Sequence, residues 1–376
     1  MSGVAGPVSA EVSAEVSAEV SAEVCAVTVT YADRLATLIP LLERLERLGI
    51  ARVVVVGNGI SDRVADRLQA AGFCKEGGLQ LELVRLARNE GSAPGFARGL
   101  EAAFAPPGTA AAWLLDDDNM PDQTCLDRLV AALADGGWAA VAALRPDRPY
   151  LAEVARTGDA HGMALPAGQV FNHDLRRLAG RAWRKLGRKL GRVLGAGPED
   201  RPAPAGVIAI PRAPYGGLLI PRATYRATGG PRADFVLYAD DLEFTERLAA
   251  QGGLGLVPAA RLEDTETSWN MAPNPGANPG ANPGANPGPV RRGVWLLARS
   301  AGDFRLYYGV RNAVYLDMRR AGFSPWLIVN TAWFLAAMSV AALLSGRPRN
   351  ALVVTRALWA GIRGRLGRAD RFPLPG

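Results

Sequence analysis

Between residues 24 and 118, strand-length apolar runs alternate with helical patterns, and few folds are open to a chain that sustains this. "VCAVTVTY" (24–31), "ARVVVVGN" (51–58), "LQLELVRL" (79–86) and "TAAAWLL" (109–115) have the length and apolar content of buried strands. Between them, "RLATLIPLLERLERLG" (34–49), "SDRVADRLQAAG" (61–72) and "SAPGFARGLEAAF" (92–104) carry helical patterns, and Ser61 stands where an N-cap belongs. Strands and helices in this order predict an α/β domain with a mostly parallel sheet covered by helices on both faces. Ligands of such sheets bind beyond the carboxyl ends of the strands. There the fourth strand runs into "LLDDDN", three consecutive aspartates.

Asp116, Asp117 and Asp118 repel one another, so away from open water they need a cation or a raised pKa. In an extended segment Asp116 and Asp118 share one side, and Asp117 points to the other. Two hard oxygen ligands on one face suit Mg2+ or Mn2+, with water and a substrate phosphate completing the shell. The same letters also fit a solvated loop in which Asp-Asn-x-Pro caps the next helix. Position at the end of a buried strand favours the ligand site.

The 376 residues, 49 % of them hydrophobic, suffice for one large α/β domain with additions. Cys25, Cys74 and Cys125 lie far apart without zinc-type spacing, which fits a reducing, cytoplasmic setting. The formal charge of +7 is concentrated: residues 176–192 hold eight Lys or Arg and no acid, and 347–376 hold seven Arg against one Asp. The remainder is acidic. This distribution argues against a uniformly basic nucleic-acid binder, and no base-stacking module accompanies the basic pieces.

The additions are distinct in composition. Residues 1–23, with "VSAEVSAEV", read as a low-complexity tail, and "NPGANPGANPGANPG" marks a turn-rich linker over 266–290. "LRRLAGRAWRKLGRKLGRVLG" (175–195) spaces Leu175, Leu178, Ala182, Leu186, Leu190 and Val193 as one face of a basic amphipathic helix inserted into the domain. Residues 291–376 predict a helical region in which 321–346 are uncharged. That exceeds the roughly 20 residues needed to cross a bilayer, and its basic flanks lean toward a membrane. Together these pieces predict an anionic membrane surface as partner. The expected place is the cytoplasmic face of the cell membrane, peripheral or with one C-terminal membrane helix.

Four segments in order, "VTVTYADR", "VVVVGNGISD", "LARNEGSAPGFARG" and "WLLDDDNMPD", resemble the nucleotide-sugar-binding half of family 2 glycosyltransferases of the GT-A fold. The nearer likeness is to the rhamnosyl- and galactofuranosyltransferase branch. "PYGGLLIPRATYRATGGPRADFVLYADDLEFTERLAAQGG" (214–253) is similar to that branch's acceptor-side segment, and "YYGVRNAVYL" (307–316) to its Tyr-Tyr-x-x-Arg-Asn element. The resemblance makes residues 24–265 a GT-A domain.

It also implies roles. Asp116 and Asp118 would bind the Mg2+ or Mn2+ that holds the diphosphate, with Asp117 beside the nucleotide sugar. Thr30 and Tyr31 would face base or ribose, and Asn58 stands at the end of the second strand; Arg88, Asn89, Gly91 and Arg98 form the third-strand loop and helix start, where glycine lets the backbone approach the ligand and arginine can pair with phosphate. Gly216 and Gly217 would lie on the acceptor side. "FVLY" (235–238) reads as a strand leading to Asp240 and Asp241, with Asp241 as the base and Asp240 helping to position hydroxyls. Acids in a first helical turn also complement the helix dipole without any catalysis.

The chain departs from the pattern twice. Gly57 stands where the family has an Asp before the Asn, and no histidine follows the Asp-Asp helix to serve as third metal ligand. His161 and His173 lie upstream, so Glu263 or Asp264 would take that corner. The resemblance implies an inverting transfer of a sugar, rhamnose or galactofuranose, from a UDP or dTDP donor to a lipid-linked or cell-envelope glycan. The alternative is a catalytically inactive GT-A-like protein that docks envelope glycan enzymes at the membrane.

Overall fold

Each of the four apolar runs forms a strand, and each helical pattern between them forms a helix. In the computed structural model these are β1 (Val24–Thr30), α1 (Leu35–Arg47), β2 (Arg52–Asn58), α2 (Asp62–Ala70), β3 (Gln80–Leu86), α3 (Ser92–Phe104) and β4 (Ala111–Asp116). The structure describes residues 23–73, 78–163, 169–170, 174–176, 206–266, 294–299, 303–321 and 324–375. Nearly all of the low-complexity tail and of the linker, most of the basic insertion, Cys74 and His173 lie outside them.

The first four strands pair in parallel, in the order β3-β2-β1-β4. The sheet then continues through β8 (Leu218–Pro221), β6 (Ala140–Leu144), β9 (Leu254–Asp264) and the short β5 (Asn119–Pro121), with β7 (Ile208–Ala209) on β9. β8 is antiparallel to both β4 and β6, whereas β6 and β9 run parallel. Both faces are covered. Leu38, Leu42 and Leu45 of α1, Leu68 of α2 and Leu129 of α4 (Cys125–Ala134) pack on one face with Val24 and Ala26 of β1. Phe96 and Leu100 of α3, Leu151 of α5 (Pro149–Thr157) and Phe244 of α7 (Asp240–Gly252) pack on the other with Cys25 and Val27. Alternate residues of one strand therefore serve two cores, which is why β1 begins as a continuous apolar run, Val24 to Val27. Helix α6 (Arg222–Thr228) follows β8.

The C-terminal region contains α8 (Val294–Arg299), α9 (Asp303–Ala321), α10 (Pro325–Leu344) and α11 (Pro348–Ile362). Its core, with Tyr308, Val310, Phe334, Met338 and Val354, also takes in Val236 and Tyr238 from the preceding domain. Helix α10 buries Leu327, Asn330, Phe334, Met338 and Ala341 at helical spacing and leaves Ile328, Val340, Leu343 and Leu344 exposed. Among the described residues it is the one helix long and apolar enough to cross a membrane. Asn330, a polar break in the apolar run, has a structural use: its side-chain oxygen accepts from the Leu175 N–H at 3.0 Å.

"FVLY" is not a strand. A 3-10 turn (Ala233–Phe235) leads instead into Val236, Tyr238 and Ala239, all with positive φ (66°, 69° and 59°). Val236 is the centre of a γ-turn closed by a 2.8 Å bond from Leu237 N–H to the Phe235 carbonyl. The β-branched and aromatic content of the stretch favours a strand. Its carbonyls, however, are taken by side chains of α9 (Phe235, Leu237 and Tyr238) and by the Ala93 N–H of α3 (Val236), and not by a neighbouring strand.

Candidate active site

A cavity of about 130 Å³ opens at the carboxyl ends of the parallel strands, lined by Asp116, Asp117 and Asp118 and also by Asp240 and Asp241. Phe304, Arg305, Leu374 and Pro375 of the C-terminal region complete the lining. The topology therefore brings the two aspartate groups, more than a hundred residues apart, to one site.

The three strand-end aspartates have different surroundings. Asp117 is buried and fixed: Thr30 Oγ1 donates to it at 2.8 Å, and Arg34 Nε at 2.8 Å. Thr30 thus anchors Asp117 and does not line the cavity. Asp116 keeps a partly exposed carboxylate, which accepts from Arg145 Nη1 at 3.0 Å. Asp118 is buried, and its nearest cation is Arg34 at 3.8 Å. Burial, followed by the charges of Asp117, Asp264 and Asp116, pushes its carboxyl up to about 8 against the pull of Arg145.

Neither proposed third ligand is available. Asp264 is buried between Arg145, which contacts it closely, and Arg148 at 2.8 Å, and it also accepts from Asn119 Nδ2 at 2.8 Å. Glu263 alternates to the other side of β9 and is exposed. His161 is exposed and pairs with Asp159. No group of three or more His, Cys, Asp or Glu side chains among the described residues is arranged to hold a metal ion. Asp118, a buried carboxylate whose pair with Arg34 is long at 3.8 Å, and Asp116 beside it fit a hard divalent ion that draws its other ligands from water and substrate.

At the end of β2, Asn58 is buried and fully engaged. Its Nδ2 donates to the Gly91 carbonyl at 3.0 Å and to Asn89 Oδ1 at 3.2 Å, while its Oδ1 accepts from Glu90 N–H at 2.8 Å. It shapes the 89–91 loop, and with Tyr31, Asn89 and Gly91 it lines the cavity. Burial raises the Tyr31 hydroxyl to about 12. Gly91 has φ 99°, and any Cβ there would collide with the Val236 carbonyl, so this glycine lets the two loops meet. Gly57 has a packing reason as well: a Cβ would lie 2.6 Å from Ile60 Cδ1. Arg88 and Arg98 are exposed and line a separate surface cavity beside Glu90 and Glu101. The buried face of α3 is set by Ala93, Phe96, Leu100 and Ala103, which leaves Arg98 on its solvent side, paired with Glu101 at 2.9 Å.

Asp240 and Asp241 are both buried in the first turn of α7. Asp240 accepts from Ser92 Oγ at 2.8 Å; burial raises its carboxyl to about 6, opposed by that hydrogen bond. Asp241 accepts from the Leu242 N–H at 2.8 Å, so it satisfies a free helix-terminal donor while facing the cavity. Gly216 and Gly217 stand behind the strand-end group. A Cβ on Gly216 would lie 2.5 Å from Arg145 Nη1 and 2.8 Å from Asp116, and Gly217, at φ 91°, donates to the Leu114 carbonyl at 2.8 Å.

The helix start is presented by the left-handed run before it, and α9 clamps that run. Asn312 Nδ2 donates to the carbonyls of Phe235, Leu237 and Tyr238 at 2.8, 2.9 and 2.8 Å. Arg311 Nη2 adds a bond to Phe235 at 3.0 Å, and its Nε donates to Asn312 Oδ1 at 2.8 Å. Non-glycine residues with left-handed backbone cost roughly 1–3 kcal/mol each, so these bonds offset a real strain. Sequence reasoning missed the roles of Arg34, Ser92, Arg145, Arg311 and Asn312. Arg145 carried a readable signal: "VAALR" ends at the carboxyl end of a strand, by the same rule that singled out the aspartates.

No protein-family model matches the chain, and no curated protein matches it. Solved structures of similar shape include the mannosyltransferase PcManGT from Pyrobaculum calidifontis in complex with GDP-Man and Mn2+, at 15 % identity and TM-score 0.45 over 90 % of this chain and 87 % of that one. S. aureus TarS 1–349 matches at 12 % identity and TM-score 0.40 over 91 % of each chain. GalNAc-T7 with UDP, GalNAc and Mn2+ matches at 13 % identity and TM-score 0.44 over 64 % of this chain, which spans only 43 % of that protein's length. All three are distant likenesses.

Proposed function

We propose that the chain is an inverting, metal-dependent glycosyltransferase of the GT-A type. It would move a sugar, rhamnose or galactofuranose, from a UDP or dTDP donor to a lipid-linked or cell-envelope glycan. One observation carries the reading: Asp116 and Asp118 at a strand end share a cavity with Asp240 and Asp241 at a helix start. The first pair suits a metal–diphosphate, the second an acceptor hydroxyl. The choice of sugar and branch rests on the motif resemblance.

In this mechanism the acceptor hydroxyl attacks the anomeric carbon from the face opposite the nucleotide. Asp241 takes its proton as the new bond forms, and the bonding pair of the broken C–O bond leaves with the diphosphate. Asp240, held by Ser92, orients hydroxyl groups. Asp117, locked by Arg34 and Thr30, fixes the turn that presents Asp116 and Asp118. These two would hold the Mg2+ or Mn2+, which when bound compensates the charge of the departing diphosphate. The exposed apolar side of α10, with Trp326 and Trp333 and the nearby arginines, would seat the enzyme on an anionic membrane at the cytoplasmic face.

The Asp116–Arg145 pair is the observation that favours the alternative, a docking protein without catalysis, because it already neutralises one metal ligand. A panel of nucleotide sugars with Mn2+ separates the two. The transferase is expected to be thermally stabilised by one donor and to release its nucleotide slowly. Stabilisation without release, or no response to any donor, would sink the transferase and leave the docking protein.

A further inference from the structure

Five aspartates and three arginines line the cavity. Two of the arginines are committed: Arg34 to Asp117 and Glu266, and Arg145 to Asp116 and Asp264. Arg305 differs. Among the described residues its guanidinium makes no hydrogen bond or ion pair, and its Nε is buried without a partner. It rests against the Phe304 ring, 5.2 Å from the centroid. A buried charged donor left unmet is expensive, and such groups in folded proteins have an explanation. The guanidinium fork matches phosphate oxygens in a way a lone ammonium does not.

We infer that Arg305 receives the phosphate oxygens of a diphosphate ester bound in this cavity, so that the C-terminal helical region completes the substrate site. The ligand class rests on the glycosyl-transfer reading, in which two molecules can carry a diphosphate ester: the nucleotide donor and a lipid-linked acceptor. Arg305 enters the lining from α9, close enough to Tyr31 for its charge to act on that hydroxyl, and among the described residues it ion-pairs with none of the five cavity aspartates.

The test compares full-length wild type with Arg305→Gln and Arg305→Lys by calorimetry. One arm uses UDP, dTDP and GDP with Mn2+, and the other uses geranyl diphosphate with Mn2+. Arg305→Gln is expected to weaken one arm by about 10- to 100-fold, the range of a charge-assisted hydrogen bond, and Arg305→Lys to recover part of it. Loss in the nucleotide arm assigns the donor, and loss in the geranyl diphosphate arm assigns the acceptor. The ligand-free Tm should barely move, since among the described residues Arg305 has no hydrogen bond or ion pair to lose, only its contact with the Phe304 ring. Unchanged affinity in both arms, or a large fall in ligand-free Tm, overturns the role of Arg305 and leaves the transferase reading standing. Failure of the wild type to bind any of these diphosphates overturns both.

Discussion

The two aspartate groups reach the same cavity by opposite means. Asp116–Asp118 are delivered by regular structure: a buried parallel strand ends, and its side chains emerge where the sheet topology places ligands. Asp240 and Asp241 are delivered by irregular structure, a left-handed run of Val236, Tyr238 and Ala239 that would relax without the α9 side chains bonded to its carbonyls. One side of the site is therefore as robust as the sheet, and the other depends on residues more than seventy positions away. The C-terminal helices are thus part of the site's construction, whatever they do at a membrane.

The sharpest way to break this comparison is at Asp241. Asp241→Asn keeps the shape and the helix-terminal acceptor but removes the proposed base, so transfer should fall by about 10²–10⁴-fold while Mn2+-dependent nucleotide binding persists. Transfer at the wild-type rate would move the base elsewhere, Asp240 being the next candidate. Asn312→Ala comes second. It removes the clamp without touching the cavity lining, and a displaced base predicts a loss in kcat of about 10- to 100-fold with donor KM nearly unchanged. Hydrogen exchange across residues 234–241 should accelerate while the β1–β4 amides stay protected. If donor KM rose in step with the loss of kcat, or exchange quickened throughout the sheet, Asn312 would be a general stability residue and the contrast between the two sides would fail.

Legibility from sequence follows the same division. Every element from β1 to β4 is readable because local pattern and final environment agree: β1, β2 and β4 are buried on both faces, the edge strand β3 is half-exposed and alternates, and the helices have one apolar stripe. The strand-end aspartates were readable for the same reason. What could not be read were long-range side-chain bonds. "FVLY" has strand composition, and nothing within a few residues of it announces Asn312. Arg88 and Arg98 looked like phosphate ligands from their loop, yet the helical phase of α3 turns Arg98 outward. Asp264 is a metal candidate in sequence because no histidine stands at that corner and a carboxylate can replace it, whereas its neighbours in space are Arg145 and Arg148. An acidic cluster in a buried site demands cations, and the chain supplies them from β6 and α1 at distances in sequence that no local motif spans.

Asp118 gives the smallest effect and tests the strand side alone. Its carboxyl is pushed from the ordinary 3.8 up to about 8. Between those values the folded protein holds a proton that the unfolded chain has released, so stability falls as pH rises through that window and levels off above it. Asp118→Asn removes the buried charge. The ligand-free variant should therefore be more stable than wild type by about 1–3 kcal/mol above the window and nearly equal to it below. With Mn2+ and the bound nucleotide the order should reverse, because only the wild type has the carboxylate that the ion needs. Thermal melts at both ends of the window, with and without Mn2+ and nucleotide, decide it. A variant less stable than wild type at every pH would mean that Asp118 serves Arg34 as a structural partner, and the strand end would then offer a metal only the carboxylate that Arg145 already holds.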